Sequence, residues 1–418
     1  MMLSKSCVFA SCILVLFLQN QIIAQTSTIP VIDKTLIAVD DLLWDLDELS
    51  IPPEVEWLDQ GGTVKSLLYK GVDYQGNPTE VFAWYSNPDL IMGRPSSGEK
   101  FPGVVLVHGG GGKAFKEWVE KWAADGYAAI AMDLAGKGPD GKRLNRPGPD
   151  QRGHDKFGSM ETGNLREVWS YHAVSSVVLS HSFLLNLPEV DENKTCITGI
   201  SWGGYLTTIA ASLDNRFQAA APVYGCGFYD ESDVFSEPLN QLSSTAKQQW
   251  MSYFDPSVYL SSAQSSFLFL NGNKDQHYNV VPYHKTYSLV PKEIRTIAIK
   301  PDMKHSHEHG WEPQEIRYFF ESVVNQAPPL IQVGDVVEKD GRLRLTYQSP
   351  VGLYRARFYY TNDTLSSNIE RKWEVQGADI DAAAGTVSCP IPESDFKYGF
   401  FYLVDHRHLS VSSEFIIK

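Results

Sequence analysis

One short segment, GISWGG at residues 199–204, constrains the fold more than any other part of the chain. A short apolar run at residues 195–198 precedes it, and an apolar helical pattern begins near Gly203. Small residues on both sides of Ser201 allow a strand to turn directly into a helix. The pattern therefore predicts a sharp strand–turn–helix unit that presents the Ser201 hydroxyl at one end of a sheet.

Apolar runs and helical patterns alternate along the middle of the chain. Strand-like runs lie at residues 64–69 and 81–85, and apolar runs that predict buried strands follow at residues 103–107, 127–132, 219–224, 267–270 and 296–299. Apolar residues at helical spacing lie at residues 115–124, 167–185 and 313–324. This alternation predicts the α/β class, with a mostly parallel sheet and helices on both faces.

The pattern changes after the segment QAPP at residues 326–329. Short alternating strands then replace helices, at residues 343–347, 354–360, 373–375, 386–389 and 398–404. This pattern predicts a small C-terminal all-β sandwich domain at residues 330–418, after an α/β domain at residues 25–326. The first part of that domain, residues 25–60, is expected to be irregular with one short helix.

Residues 1–24 have the composition of a secretory signal peptide. Lys5 supplies a positive start, residues 7–18 are almost continuously apolar, and Ala24 offers a small residue for cleavage. The sequence therefore predicts a secreted or periplasmic protein with no membrane attachment after signal cleavage. Two of the five cysteines would leave with this segment, and the remaining three are expected to be buried thiols.

The balance of charges limits the partners of the chain. Its 418 residues carry a net charge of −14, with 43% hydrophobic residues, which is typical of a soluble globular protein. This charge argues against nucleic acid or an anionic membrane as the main partner. The oligomeric state stays open.

Ser201 becomes a strong nucleophile only with a base that takes its proton and a carboxylate that orients the base. In sheets of this kind the acid and then the histidine follow the serine, each after a later strand. Asp275 follows the apolar run at residues 267–270, and His305 follows the run at residues 296–299. The sequence predicts a catalytic triad of these residues, with Asp230 as the alternative acid and His307 as the alternative base.

The run HGGGG at residues 108–112 directly follows a predicted strand. Glycines allow the backbone to approach a substrate oxygen closely. We therefore predict an oxyanion hole formed by the backbone N–H of Trp202 and that of Gly110 or Gly111. A phosphate loop is the alternative, but no Gly-Lys-Ser/Thr follows the glycines.

Histidines alternate at positions 305, 307 and 309, a spacing that also occurs in metal sites. No cysteine accompanies them and the triad already uses one, so neither a metal nor a cofactor is predicted.

Candidate residues of the substrate pocket are aromatic: Trp169, Tyr171, Tyr224 and Trp311. Core packing is the alternative for each of them. The insert at residues 152–157 and the loop at residues 228–250 are also expected to build the pocket.

Together these motifs resemble the acetyl xylan esterase and dienelactone hydrolase-like branch of the α/β-hydrolase superfamily, near the prolyl oligopeptidase catalytic domain. The resemblance covers about residues 60–325, in the segments 107–112, 198–207, 222–227, 303–307 and 310–313. It implies carboxylic-ester hydrolysis without a cofactor, with a small-molecule or polysaccharide ester, often an acetyl ester, as substrate. In that family the serine, acid and histidine fall at Ser201, Asp275 and His305.

Two other functions remain open. One is a serine peptidase of the oligopeptidase type. The other is a catalytically inactive hydrolase fold that acts as a binding protein.

Overall fold

The computed structural model describes residues 43–393 and 395–418, and all of these lie in one compact unit, Leu42–Lys418. The predicted signal peptide lies outside the described residues, so export stays a prediction. The domain boundary predicted at residues 326–330 falls within this unit and also stays a prediction. Within the described part of the chain, no helix combines the length and apolar character required to cross a membrane.

A nine-stranded sheet forms the centre of the molecule. Its strands are β1 (Val55–Asp59), β2 (Lys65–Lys70), β3 (Glu80–Ser86), β4 (Phe101–Val107), β5 (Ala128–Met132), β6 (Val190–Ile200), β7 (Ala219–Val223), β8 (Ser266–Gly272) and β9 (Arg295–Lys300). Their order is β1-β2-β3-β5-β4-β6-β7-β8-β9. The six strands from β5 to β9 in this order are parallel, whereas β1 to β3 form an antiparallel edge.

Helices cover both faces of this sheet. The helices are α1 (Leu46–Leu49), α2 (Pro88–Ile91), α3 (Lys116–Ala124), α4 (Gly153–Lys156), α5 (Trp169–Leu185), α6 (Trp202–Leu213), α7 (Ser236–Asn240), α8 (Ser244–Tyr253), α9 (Val280–Ser288), α10 (His307–Trp311) and α11 (Gln314–Val324). Helices α5 and α6 pack together on one face, and α3 and α11 meet on the other through Trp122 and Phe320. Because helices shield both faces, the parallel strands are apolar throughout rather than alternating.

The predicted α/β class, parallel sheet and flanking helices are confirmed. Residues 25–60 were predicted less well, because their described part contains strand β1 as well as the short helix α1. Strand β1 lies at the sheet edge and has the half-exposed sequence VEWLD, so it lacks the apolar run that marks the buried strands.

The C-terminal residues form two antiparallel sheets, which confirms the predicted all-β character of this region. The strands are β10 (Gln332–Val333), β11 (Val337–Lys339), β12 (Arg342–Gln348), β13 (Leu353–Thr361), β14 (Glu374–Gly377), β15 (Asp379–Asp381), β16 (Thr386–Pro390), β17 (Tyr398–Asp405), β18 (Ser410–Ser412) and β19 (Ile416–Ile417). One sheet has the order β10-β12-β16-β15, with β11 also on β12. The other has the order β14-β13-β17-β18, with β19 also on β17.

Strand β18 covers the exposed edge of the central sheet at β9. The Ile299 N–H donates to Ser412 Oγ at 3.0 Å, and the buried Glu315 accepts from Ser410. An uncovered edge strand would present unpaired backbone groups, so this contact protects the strand that precedes His305.

The three cysteines of the described region, Cys196, Cys226 and Cys389, are free and buried. This agrees with their prediction as buried thiols.

Candidate active site

Ser201 occupies the turn between strand β6 and helix α6, with φ 59° and ψ −115°. A positive φ is costly for a residue with a Cβ atom, and such strain persists only where neighbouring bonds fix it. Here the Ser201 N–H donates to the Val223 carbonyl at 2.8 Å, and its own carbonyl accepts from Tyr205 N–H at 2.9 Å. The predicted strand–turn–helix unit is therefore present, at the carboxyl end of strand β6.

Glycines around Ser201 allow backbones to approach more closely than any side chain would permit. A Cβ atom at Gly199 would lie 2.2 Å from the Gly203 carbonyl oxygen, and one at Gly203 would lie 2.0 Å from the Val107 oxygen. Helix α6 thus packs directly against the ends of β4 and β6. The spacing of small residues that identified this turn in the sequence has a direct steric cause.

Asp275 follows strand β8 and His305 follows strand β9, and their side chains meet near the carboxyl ends of these two strands. His305 Nδ1 lies 2.5 Å from Asp275 Oδ2, and the other carboxylate oxygen accepts from the backbone N–H groups of His277 and Tyr278 at 2.8 Å each. Asp275 is buried, so its carboxylate has fixed partners and holds the His305 Nδ1–H as a donor. Asp230, the alternative acid, is exposed, and the geometry favours Asp275.

Two aromatic rings fix the orientation of the His305 imidazole. Tyr224 stacks on it at 4.3 Å between centroids, and His277 packs edge-on at 4.4 Å. The Tyr224 hydroxyl donates to the Lys304 carbonyl at 2.5 Å. Tyr224 therefore supports the His305 ring, and its role in a substrate pocket stays a prediction. The pKa of His277 is lowered, first by burial and second by the charge of the neighbouring His305.

The alternating histidines have different partners. His307 Nε2 accepts the Gly109 N–H at 2.9 Å, and burial lowers the pKa of His307 to about 4. His309 Nδ1 bonds Ser306 Oγ at 2.7 Å. His305 alone of the three contacts the buried acid, so the geometry favours it over His307 as the base. Among the described residues no group of three or more His, Cys, Asp or Glu is arranged to hold a metal ion.

The glycine loop at residues 108–112 is held from both sides by neutral histidines. His108 Nδ1–H donates to the Gly109 carbonyl at 2.8 Å, while Nε2 accepts the Leu134 N–H at 3.0 Å. Burial lowers the pKa of His108 to about 4, which keeps its Nε2 free to accept.

The structure separates the two predicted glycine donors. The Gly111 N–H already donates to Gln151 Oε1 at 3.2 Å, which argues against Gly111 as an oxyanion donor. The described hydrogen bonds give no acceptor for the Gly110 N–H. The Trp202 N–H opens helix α6 and therefore has no acceptor within the helix. Gly110 and Trp202 remain the predicted pair.

Three of the predicted pocket residues belong to the packing of the protein. Trp169 is fully buried, and Tyr171 stacks on Trp44 with 6.1 Å between ring centroids. Trp311 packs against Trp118 at 5.5 Å. These contacts favour the core-packing alternative for the three side chains, and a role in lining a substrate pocket stays a prediction.

Other residues, not identified individually from the sequence, surround the side chain of Trp202. From the insert, Lys156 Nζ lies 4.1 Å from the centroid of the Trp202 ring, and Phe157 packs on that ring at 5.9 Å. From the loop at residues 228–250, Tyr229 packs on it at 5.5 Å. The sequence indicated both segments as pocket-building, but only the tertiary structure shows which side chains reach the site.

Tyr278 is a further residue that the sequence did not reveal. Its hydroxyl interacts with the Ser201 side chain and lies 3.0 Å from the Tyr229 hydroxyl. Burial raises its pKa well above the usual range, so the phenol stays neutral beside the serine.

Two family models match the chain. The acetyl xylan esterase (AXE1) model matches residues 43–231, and the prolyl oligopeptidase family model matches residues 148–324. Ser201 falls in both ranges, whereas Asp275 and His305 fall only in the second.

Known proteins resemble the chain at low identity. The acetyl xylan esterase from Paenibacillus sp. R4 has a TM-score of 0.51 and 21% identity, covering 66% of this chain and 92% of that one. Acetyl xylan esterase 1 from Thermoanaerobacterium sp. JW/SL YS485 has a TM-score of 0.48 and 19% identity, covering 66% and 93%. A curated relative, the uncharacterized peptidase YuxL of Bacillus subtilis (strain 168), is 21% identical over 301 residues, which are 68% of this chain. The match spans 40% of that relative's length.

Proposed function

We propose that this chain, an α/β-hydrolase of the acetyl xylan esterase-like family, is a serine hydrolase that cleaves carboxylic esters through an acyl-enzyme. The observation that carries the proposal is the 2.5 Å bond between His305 Nδ1 and the buried Asp275, in a sheet that also holds a serine at φ 59° at the end of strand β6. Nucleophilic catalysis requires a serine held in a sharp turn and an imidazole oriented by a carboxylate, and both are present here. The match to the acetyl xylan esterase model supports an ester as the bond that is cleaved.

Each residue has a role in the proposed reaction. Ser201 Oγ attacks the ester carbonyl while His305 Nε2 takes its proton, and Asp275 stabilises the imidazolium that forms. The N–H groups of Gly110 and Trp202 bind the oxyanion. His305 then protonates the leaving alcohol, and a water activated by the same imidazole hydrolyses the acyl-enzyme.

Acetyl groups on carbohydrate are the proposed substrate class. The support is the acetyl xylan esterase family model, which matches residues 43–231. Export, inferred from the composition of residues 1–24, would place such an enzyme with extracellular polysaccharides.

A peptidase is the second candidate, because the prolyl oligopeptidase model covers Ser201, Asp275 and His305 together. The same triad cleaves amides where a pocket holds the peptide.

Hydrolysis of matched esters and amides distinguishes these functions. The proposal predicts release of acetate from 4-nitrophenyl acetate and acetylated xylo-oligosaccharides, with peptidyl 4-nitroanilides cleaved at least about 10³-fold more slowly. Ser201→Ala is expected to abolish all turnover, since losing a triad serine costs up to about 10⁶ in kcat. Amide cleavage as fast as ester cleavage would favour the peptidase, and inactivity of the unmodified protein on every substrate would favour a binding protein.

A further inference from the structure

Lys156 ends the short helix α4, and its ammonium lies at the glycine loop. The Nζ atom is 4.1 Å from the ring centroid of Trp202 and 5.3 Å from that of Trp169. A Cβ atom placed at Gly110 would be 3.9 Å from it. The ammonium therefore lies over the indole ring of Trp202 and close to Gly110. The backbone N–H groups of these two residues are predicted to bind the oxyanion.

The charge of Asp150 favours the Lys156 ammonium, but Asp150 forms its ion pair with Arg152, at 3.2 Å. Lys156 is only 9% exposed, and among the described residues its Nζ forms no ion pair and no hydrogen bond. Indole faces attract a cation, but they supply no acceptor atom. A largely buried ammonium with no acceptor in hydrogen-bond distance is costly, and ionisable groups perturbed by burial are concentrated at functional sites.

Gln151, at the other end of the same segment, has a related property. It is 7% exposed, and its Oε1 accepts the Gly111 N–H at 3.2 Å. Its Nε2 is buried without an acceptor among the residues that the structure describes. One segment thus brings two donors without acceptors to consecutive residues of the glycine loop, Gly110 and Gly111. A buried donor left unpaired calls for an explanation, and an acceptor supplied by the substrate provides one.

We propose that Lys156 is a specificity-determining residue whose ammonium binds a carboxylate carried by the substrate next to the ester group. The inference rests on the proposed esterase function and narrows its substrates to acidic esters, such as those of uronic acids or of dicarboxylic acyl groups. The ammonium lies over the indole ring of Trp202 and not at its backbone N–H. We therefore expect it to contact a substituent of the substrate and not the oxyanion. Burial lowers the pKa of Lys156 to about 8, so the ammonium remains mostly protonated at pH 7.

Paired esters test this role. 4-Nitrophenyl acetate is neutral, whereas mono-4-nitrophenyl succinate carries a carboxylate beyond the same scissile bond. At pH 7, Lys156→Met is expected to lower the ratio of kcat/KM for the succinate ester to that for the acetate ester at least tenfold. Lys156→Arg should retain most of the ratio. Lys113→Met, a matched change at an exposed lysine near the loop, should not alter it.

An unchanged ratio in Lys156→Met would overturn the inference. Equal losses on both esters are one form of that result, and would indicate that the ammonium acts on the oxyanion or only on packing.

A binding measurement separates this inference from the proposed function. In Ser201→Ala, tryptophan fluorescence is followed during titration with monomethyl succinate or with neutral dimethyl succinate. Saturable binding of the monoanion alone, lost in Ser201→Ala/Lys156→Met, supports the carboxylate site even if the unmodified protein hydrolyses no ester. Ester hydrolysis by the unmodified protein without Lys156-dependent binding of the monoanion would overturn the inference and leave the esterase proposal standing.

Discussion

The backbone N–H of Gly109 donates a 2.9 Å hydrogen bond to Nε2 of His307. This bond gives His307 a structural task, since it ties helix α10 to the glycine loop. The nitrogen that a general base would need is already occupied. His305, two residues earlier, has its Nδ1 on Asp275 and its Nε2 directed away from that carboxylate.

Exchanging each histidine for glutamine tests this division of roles. His305→Gln should lower kcat for 4-nitrophenyl acetate by at least about 10³-fold, because no group remains to take the Ser201 proton. His307→Gln should cost less than about tenfold, since the glutamine Oε1 can still accept the Gly109 N–H. Steady-state kinetics of the two variants decide the matter. A larger loss in His307→Gln than in His305→Gln would exchange the two assignments.

The glycine loop offers a second comparison. A Cβ atom at Gly110 would lie 2.9 Å from Trp202 Cδ1, so Gly110→Ala should displace the predicted donor and lower kcat/KM by about 10²-fold. A Cβ atom at Gly111 would have no other atom within 4 Å. The φ of 69° at this position nevertheless makes Gly111→Ala strain the backbone. It should mainly lower the free energy of unfolding, by about 1 kcal/mol. Ester kinetics measure kcat/KM of both variants, and urea unfolding measures their stability. Equal losses of kcat/KM in the two variants would contradict the assignment of Gly110 as the oxyanion donor.

Acid should destabilise the fold through His108. Burial lowers its pKa to about 4, whereas an unfolded histidine titrates near 6.5. The unfolded chain therefore binds the proton first, and this contribution to stability is complete above about pH 6.5 and is lost as the pH falls toward 4. For His108 alone the loss is about 2 kcal/mol at pH 5.

Urea unfolding at pH 7.5 and pH 5 measures this loss. The variant His108→Gln, which keeps an acceptor for the Leu134 N–H, should lose less stability between the two pH values than the unmodified protein. Identical losses in the two proteins would show that His108 is not the source.

Glu315 couples the C-terminal sheets to the central sheet. Its carboxylate lies 2.6 Å from Lys300 Nζ and accepts from the N–H and the hydroxyl of Ser410, at 2.9 and 2.7 Å. Glu315→Ala would leave these donors unpaired in a buried position and should lower the free energy of unfolding by about 3 kcal/mol. Glu312→Ala, at an exposed position nearby, should change it by less than about 0.5 kcal/mol. Equal effects in urea unfolding would contradict the coupling.

Much of the fold was predictable from local patterns. Strands such as β4 and β5 are buried on both faces, so their sequences are continuously apolar and mark their positions. The glycines around Ser201 record a steric requirement that acts within a few residues of chain. The order of acid and histidine after the serine follows from the strand order of the sheet.

The rest of the site depends on contacts between distant parts of the chain. Gly110 and Gly111 look alike in sequence, and only the bond from Gln151 distinguishes them. Trp169 and Tyr171 are aromatic residues of a buried helix, so their composition could not separate core from pocket. Lys156 carries no local pattern at all, because its position over Trp202 arises from the packing of the insert.

Covalent labelling with a fluorophosphonate probe, followed by mass spectrometry of the peptides, tests the central claim most directly. Such a probe reacts only with a serine that is activated by a base and placed near an oxyanion hole. The account predicts stoichiometric labelling of Ser201, none in Ser201→Ala, and labelling slowed by at least about 10³-fold in His305→Gln. An unlabelled Ser201 in the unmodified protein, or labelling as fast in His305→Gln, would contradict it.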